Sequence, residues 1–556
     1  MKILGIKLTH DASFSIIDNN KLICCLEIEK IANNTRNSEF TLSKDDLEVL
    51  LKNYGYSFND FDSVVFDGWY YSSIESSFFT GSTSKLNIND YGVIYFENEF
   101  PYEKYSFNDI PYFSNYHLEG HLWSAYCTST FSKNKESSFI LIWDGGMVPH
   151  LFYFDFKQKK LSNIGVFFNV IGLLYSYFAT HFEPYLVGFT ESTSLSVAGK
   201  VMAYIALGQT NEDLLNSFQS VYNSFKEKTD LQTVIPKVAF SSTFELSNKF
   251  VFVAKAKQLR HKQLSSADIF ATLHTFIEHI LIAELHNKIG NLGNEYERNL
   301  CYVGGTALNI KWNSAIRKSN LFKKIWIPPF PNDSGSSIGA ACKGMIQSTG
   351  NYHLEWNVYS GPSVIQTHTL HGWQRSAFSL SELAKLIIKT DEPVVFLNGN
   401  AEIGPRALGN RSIIAQATSK GMKDLMNKIK ERENYRPVAP ICIEEYAPGI
   451  FTPGTPDPYM LFDHTVKEQW LGKVPAICHL DQSARLQTIN RKQNKPVYDL
   501  LNEYYKLTGI PLLCNTSANL KGRGFFPDVE SVIKWGRVNY IYSEGFLYHR
   551  NKLEID

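Results

Sequence analysis

Across the first sixty residues, apolar and polar positions alternate in three short runs, ILGIKL, ASFSIID and KLICCLEIE. A two-residue period of this kind predicts half-buried strands, with turns at THD and at Asn19-Asn20, the second a hairpin signal. The period then lengthens, and LSKDDLEVLLKNYG predicts a helix. Near residue 140 the plan returns. SSFILIWDGGMVPHLFYFDFKQKKLSNI reads as strand, Asp-Gly-Gly turn, strand, Lys-rich turn, strand. Later, NLCYV reads as a strand that runs through Gly304-Gly305 into the helical pattern ALNIKWNSAIRKS. From about 350 to 375, STGNYHLEWNVYSGPSVIQTHTLHGWQ holds no sustained period and several turn residues, which predicts a linker. Beyond it, SLSELAKLIIKT predicts a helix, and PVVFLNG, PAICHL and IPLLCN predict strands. The expected organisation is α/β throughout, with one domain over 1–355 and a second over 356–556.

Composition narrows the class. At 556 residues the chain exceeds what one hydrophobic core supports, and 44% hydrophobic with 14% aromatic residues fits a folded globular protein. Lys plus Arg and Asp plus Glu are 55 each, so no whole-protein field draws it to nucleic acid or an anionic membrane. The eight cysteines, at 24, 25, 127, 301, 342, 442, 478 and 514, form no C-x2-C pair. Most stand in apolar runs such as LICCLEI and PLLCNTS, as reduced core residues of a cytosolic protein do. The start, MKILGIKLTHD, has no apolar signal region with a cleavage site. No uninterrupted apolar run approaches the roughly 20 residues a bilayer span needs. The expectation is a soluble, cytoplasmic protein with no membrane partner.

Chemistry concentrates in a few places. YHLEGHLWSAY carries the one His-x3-His pair, His117 and His121. The zinc-protease reading fails, because Glu119 lies about 200° around a helix from His117. Asp144 of WDGG and Asp333 of PPFPNDSGSSIGAA, in a turn before a helix of small residues, add two carboxylates. Two imidazoles and two carboxylates suit Fe(II), Mn or Zn. Past residue 400, arginines recur beside glycines and prolines: Arg406 and Arg411 in GPRALGNRS, Arg432 and Arg436 in KERENYRPVAP with Lys430, and Arg485 in HLDQSARLQT. Guanidinium forks suit phosphate oxygens, and turns after strand ends are where α/β sheets bind ligands.

The paired strand–Asp–turn–strand hairpins with a late Gly-Gly resemble the way actin, sugar kinase and Hsp70 ATPases grip phosphate and adenosine. A second resemblance runs over nearly the whole chain. HDAS at 10–13, HLEGHLWSAY, DGG at 144–146, AGKVM at 198–202, GGTALN at 304–309, PNDSGSSIGAA, GPRALGNRS, RENYRPVAP, HLDQSARLQT and NTSANLKG appear in this order. Together they resemble the O-carbamoyltransferases that decorate antibiotics and nodulation factors, and GIKLTHDA and EKIANNTR look most like the nodulation branch.

That resemblance implies an actin/Hsp70-like N-terminal domain, similar to the threonylcarbamoyl-transfer protein, and a C-terminal domain similar to threonylcarbamoyl-adenylate synthase. The second would make carbamoyl adenylate from carbamoyl phosphate and ATP, with Mg. The first would hold it on Fe(II) or another divalent metal and pass its carbamoyl group to a hydroxyl on a sugar or natural product. The implied metal ligands are His117, His121, Asp144 and Asp333. The implied nucleotide-binding residues are Lys200, Gly304, Gly305, Asn309, Arg406, Arg411, Lys430, Arg432, Arg436, His479, Arg485, Asn515 and Ser517. The implied catalytic residues are His10 and Asp11 as the base pair, and Arg36 of Thr35-Arg36-Asn37, which stands where antibiotic-type members carry Lys-His-Asp, so that the histidine's role there is absent or taken by Arg36. A homodimer is allowed. Two other readings are a hydroxymethylpyrimidine acceptor in nucleotide or DNA, disfavoured for the polymer by the zero net charge, and a non-catalytic regulatory protein of the same fold, disfavoured by the arginine-rich turns.

Overall fold

The computed structural model describes residues 1–556 except 32–34, 37, 92–102, 187–190, 227–235, 261–263, 367–371 and 551–556, and except the side chains of 191–195 and 236–238. Asn37 of the TRN stretch and part of the expected linker lie outside the described residues. The described chain divides into two units. One comprises Met1–Cys25 and Asn37–Trp356, the other Leu26–Arg36 and Asn357–Asp556. A short early segment thus belongs with the C-terminal part of the sequence, which a single linear boundary does not express.

The first unit is built on two sheets with one plan. The six-stranded sheet runs in the order Lys21–Glu27, Ser13–Asp18, Lys2–Lys7, Ser63–Asp67, Ile110–Asn115, Glu103–Phe107. Lys2–Lys7 pairs antiparallel with Ser13–Asp18 and parallel with Ser63–Asp67. The five-stranded sheet runs Lys160–Val166, His150–Asp155, Ser138–Ile142, Asn299–Val303, Lys324–Trp326, again an antiparallel hairpin series followed by parallel neighbours. Helix His117–Cys127 packs on the second sheet's Ser138–Ile142 and Asn299–Val303, while helix Ser336–Thr349 packs on the first sheet's Lys2–Lys7, Ser13–Asp18 and Ser63–Asp67.

Small residues let these layers meet. A Cβ on Gly339 would stand 1.8 Å from the Gly120 carbonyl oxygen, and one on Gly5 would stand 2.1 Å from that of Ser337. The run SSIGAA therefore makes the tight face that joins the two helices and the first sheet. Helices between Leu174 and Gly290 complete the unit.

The second unit centres on an eight-stranded mixed sheet, ordered Trp373–Ala377, Phe546–Arg550, Tyr540–Ser543, Val394–Leu397, Arg411–Ala415, Leu512–Ser517, Ala439–Ile443, Gln487–Ile489. Helices Leu380–Thr390 and Lys495–Thr508 pack together beside an apolar layer that includes Leu383, Phe396, Leu500 and Tyr504. The strand expected at PAICHL is instead a 3-10 turn over Pro475–Ile477. Pro475 has no N–H for a ladder, and the Ile477 N–H turns back to the Val474 carbonyl.

Among the described residues no helix is long and apolar enough to cross a membrane. None of the eight cysteines, all among the described residues, is in a disulfide; seven are buried and Cys478 is half-buried.

Candidate metal centre and cation cluster

In the first unit, four of the expected residues converge. His117 opens helix His117–Cys127 and His121 follows one turn later, so both imidazoles leave the same face, their ring centroids 4.8 Å apart. Asp144 follows strand Ser138–Ile142, and its Oδ1 accepts the Gly305 N–H at 2.5 Å. Asp333 begins the turn that leads into helix Ser336–Thr349. One ligand atom from each of the four lies within 4.8 Å of the others, and all four residues are buried. Both ring nitrogens of His121 and Nε2 of His117 are buried without a hydrogen-bond partner. Buried imidazole nitrogens left in this state are costly unless something else binds them. Nitrogen and carboxylate donors converging at this spacing fit a divalent transition-metal ion.

Two residues that the sequence reading passed over support this group. Asp67, the last residue of strand Ser63–Asp67, accepts from His117 Nδ1 at 2.7 Å and from Asn115 Nδ2 at 3.1 Å. With Nδ1–H given to the carboxylate, Nε2 is the imidazole's lone-pair face, on the side of Asp333 at 3.5 Å. Lys7, 0% exposed at the end of strand Lys2–Lys7, places Nζ 3.1 Å from both Asp67 and Asp333. Burial alone would lower the Lys7 ammonium, but Asp333 and Asp67 raise it. Burial would raise Asp333, yet Lys7, His117 and His10 hold that carboxyl well below the usual range. Glu119 points away, paired with Lys343 at 2.6 Å.

His10 lies at the edge, its side chain 20% exposed, with Nε2 3.6 Å from Asp333 and Nδ1 3.6 Å from Asp11. Burial opposes its protonation, but Asp333 and then Asp11 push it up to about 9. Asp11 adopts a left-handed φ of 54° and is steadied by Asn332 Nδ2 at 3.0 Å. The indole of Trp69 stands against His10, Lys7 and His117. Gly304, at φ 100°, leaves room only for hydrogen, since a Cβ would stand 2.3 Å from the Trp143 carbonyl oxygen. Asn309 spends its side-chain oxygen capping helix Ile310–Lys318, and Lys200 sits half-buried on helix Glu191–Tyr204.

In the second unit, the turn after strand Val394–Leu397 brings Arg406 into the range of Arg485, Arg36 and Arg436. Burial first, then these three cations, hold Arg406 well below the usual arginine range. Burial and then neighbouring cations lower Arg432 to about 9 and Arg485 to about 10. Asp463 beside Arg485 and Glu433, 3.8 Å from Arg436, are the opposing acids. Such crowding of cations suits an anion with several oxygens.

The expected nucleotide residues of this unit that remain lie in supporting contacts. Arg411 is 1% exposed and donates to the carbonyls of Asn398, Asn410, Pro362 and Gly399, so it braces the turn from beneath. Lys430 Nζ donates to the carbonyls of Ser517 at 2.8 Å and Asn519 at 2.5 Å. His479 Nε2 lies 3.1 Å from the Tyr435 carbonyl and its Nδ1 3.1 Å from Asp481. Asn515 Nδ2 donates to Ala407 and Gln487, and Ser517 Oγ to Asn519.

The family model described as carbamoyltransferase N-terminus matches residues 2–342, and that described as carbamoyltransferase C-terminus matches 384–547. Nodulation protein U of Sinorhizobium fredii (strain NBRC 101917 / NGR234) is 42% identical, covering 99% of this chain and 99% of its own. Nodulation protein U of Rhizobium tropici is 42% identical over 100% of this chain and 97% of its own. The 3'-hydroxymethylcephem-O-carbamoyltransferase of Streptomyces clavuligerus is 26% identical over 96% of both chains.

Proposed function

The chain belongs to the carbamoyltransferase family, and from that premise we propose that it is an ATP-dependent O-carbamoyltransferase acting on a hydroxyl of a sugar or natural product. On this reading the first unit is an actin/Hsp70-like carbamoyl-transfer domain, supported by its two sheets of one plan. The second forms the adenylate, as an enzyme similar to threonylcarbamoyl-adenylate synthase would. Water displaces phosphate from the carbonyl of carbamoyl phosphate to give carbamate, whose oxygen then attacks the α-phosphorus of Mg-bound ATP, so that carbamoyl adenylate forms and phosphate and pyrophosphate leave. Arg406, Arg432, Arg436, Arg485 and Arg36 hold the phosphate oxygens and offset their charge.

In the transfer step the acceptor oxygen bonds to the carbamoyl carbon, the carbon–oxygen bond to phosphate breaks, and AMP leaves. His117, His121, Asp144 and Asp333 would hold Fe(II) or another divalent ion, which when bound would supply Lewis-acid polarisation of a carbonyl. His10 takes the acceptor's hydroxyl proton, with Asp11 orienting its other nitrogen. To do so His10 must be neutral. The charge that chiefly raises it is that of Asp333, which a bound cation would offset. The buried setting keeps water from a labile mixed anhydride.

The observation that carries this reading is the buried His117, His121, Asp144 and Asp333 group with its unbonded imidazole nitrogens. The test is to incubate the full chain with ATP, carbamoyl phosphate and a panel of sugar and natural-product alcohols. The product should be heavier by about 43 Da, the mass of a carbamoyl group replacing hydrogen. AMP and pyrophosphate formation without any such product, across acceptors that include a nodulation oligosaccharide, would refute the transfer.

A further inference from the structure

The turn that presents Arg406 is clamped by residues from far upstream in the chain. Glu27 Oε1 accepts the Gly404 N–H at 2.9 Å. Lys30 Nζ donates to the Glu402 carbonyl at 2.8 Å and to the Gly404 carbonyl at 2.6 Å, and is paired with Glu27. Glu402, fully buried, accepts the N–H groups of Leu408 and Arg411 on the far side of the same turn. The segment bearing Glu27 and Lys30 is itself seated against a second loop of the unit. Gly524 lies so close that a Cβ there would stand 1.9 Å from the Glu29 carbonyl oxygen, and the Arg36 N–H donates to the Gly522 carbonyl at 2.9 Å.

Lys30 has a side chain only 1% exposed, and its ammonium is engaged by Glu27 and two carbonyls. A buried cation spent in this way binds no substrate; it holds backbone. The need for a hold is electrostatic, since Arg406 is pressed by Arg485, Arg36 and Arg436 whenever no anion sits among them. Left to itself, the Gly404-Pro405-Arg406 turn would swing away from that repulsion, and every anion that bound would first have to draw it back.

We propose that Lys30, with Glu27, is a positioning residue of the anion site, fixing the Gly404–Arg406 turn so that Arg406 stands ready before phosphate arrives. The proposal rests on reading the cation cluster as the phosphate grip.

The test uses the full chain with Lys30→Met and two readouts: ATP affinity by calorimetry, and ATP–pyrophosphate exchange driven by carbamoyl phosphate. In Lys30→Met, the ATP dissociation constant and the KM values of exchange should rise about tenfold while kcat falls less than about threefold, as expected when pre-organised binding is lost. Metal content should stay at the wild-type level. Should Lys30→Met not fold, Glu27→Gln carries the test. It keeps the volume and an oxygen for the Gly404 N–H but loses the charge that pairs Lys30, and should raise the same constants about threefold. Wild-type ATP affinity and KM in the folded variants, whatever their kcat, would overturn the proposal. A wild-type chain that binds ATP but exchanges nothing would refute the adenylate reading instead, and the clamp would then be judged on ATP affinity alone. A wild-type chain that binds no ATP would overturn both.

Discussion

At the scale of single residues, Asp67 decides which nitrogen of His117 faces the candidate metal group, and Lys7 ties that carboxylate to Asp333. Asp67→Asn keeps the shape but removes the charge that orders both partners. Metal affinity should fall about 10- to 100-fold, as is typical when an orienting carboxylate behind a ligand is lost. Competition against a chelator, read by elemental analysis, measures this. Carbamoyl-phosphate-dependent exchange should be untouched, and unchanged affinity would remove Asp67 from the site's support. The two histidines, Asp144 and Asp333 were legible in the sequence because each breaks its surroundings: a paired spacing, a Gly-rich turn, a Pro-rich turn. Lys7 and Asp67 were not. Each is one polar residue at the end of an apolar strand, where a solvated strand end looks the same, and only the packing of Ser63–Asp67 beside Lys2–Lys7 makes them neighbours.

At the scale of elements, helix Ser336–Thr349 carries Asp333 at its approach and packs through Gly339 on the backbone of the histidine-bearing helix. Gly339→Ala would force a shift between two backbones, and should cost about 1–3 kcal/mol, the usual range for overpacking. Thermal unfolding of the metal-free protein measures the cost, and the same variant should bind metal more weakly because His121 rides on one of the helices that part and Asp333 on the turn leading into the other. Wild-type stability would mean that the contact yields without strain. Strands with a clean two-residue period, Lys2–Lys7 and Ser13–Asp18 among them, were readable. The first half of helix Ser266–Gly290 was not, for it buries residues 267 and 269–274 almost in succession, which leaves no polar stripe there to set a period. PAICHL misled because its apolar run is a turn begun by a proline.

At the scale of the molecule, the described chain is two units, and the second takes Leu26–Arg36 from within the span of the first. Residues 1–355 expressed alone should retain metal but carbamoylate no alcohol from ATP and carbamoyl phosphate. Residues 356–556 alone should give no exchange, because they lack Glu27, Lys30 and Arg36. Exchange by that C-terminal fragment at a rate near that of the full chain would show that the upstream segment is dispensable. The sequence could not signal this sharing, since LEIEK reads simply as the end of one strand and the start of a helix. The Glu29–Gly524 contact also constrains how relatives of this chain can be recombined. A hybrid meant to borrow another member's acceptor preference cannot be joined once, near residue 356. It must be spliced three times, so that residues 26–36 travel with the C-terminal partner they were shaped against; moved without it, they would meet any side chain that a new partner bears at the position of Gly524.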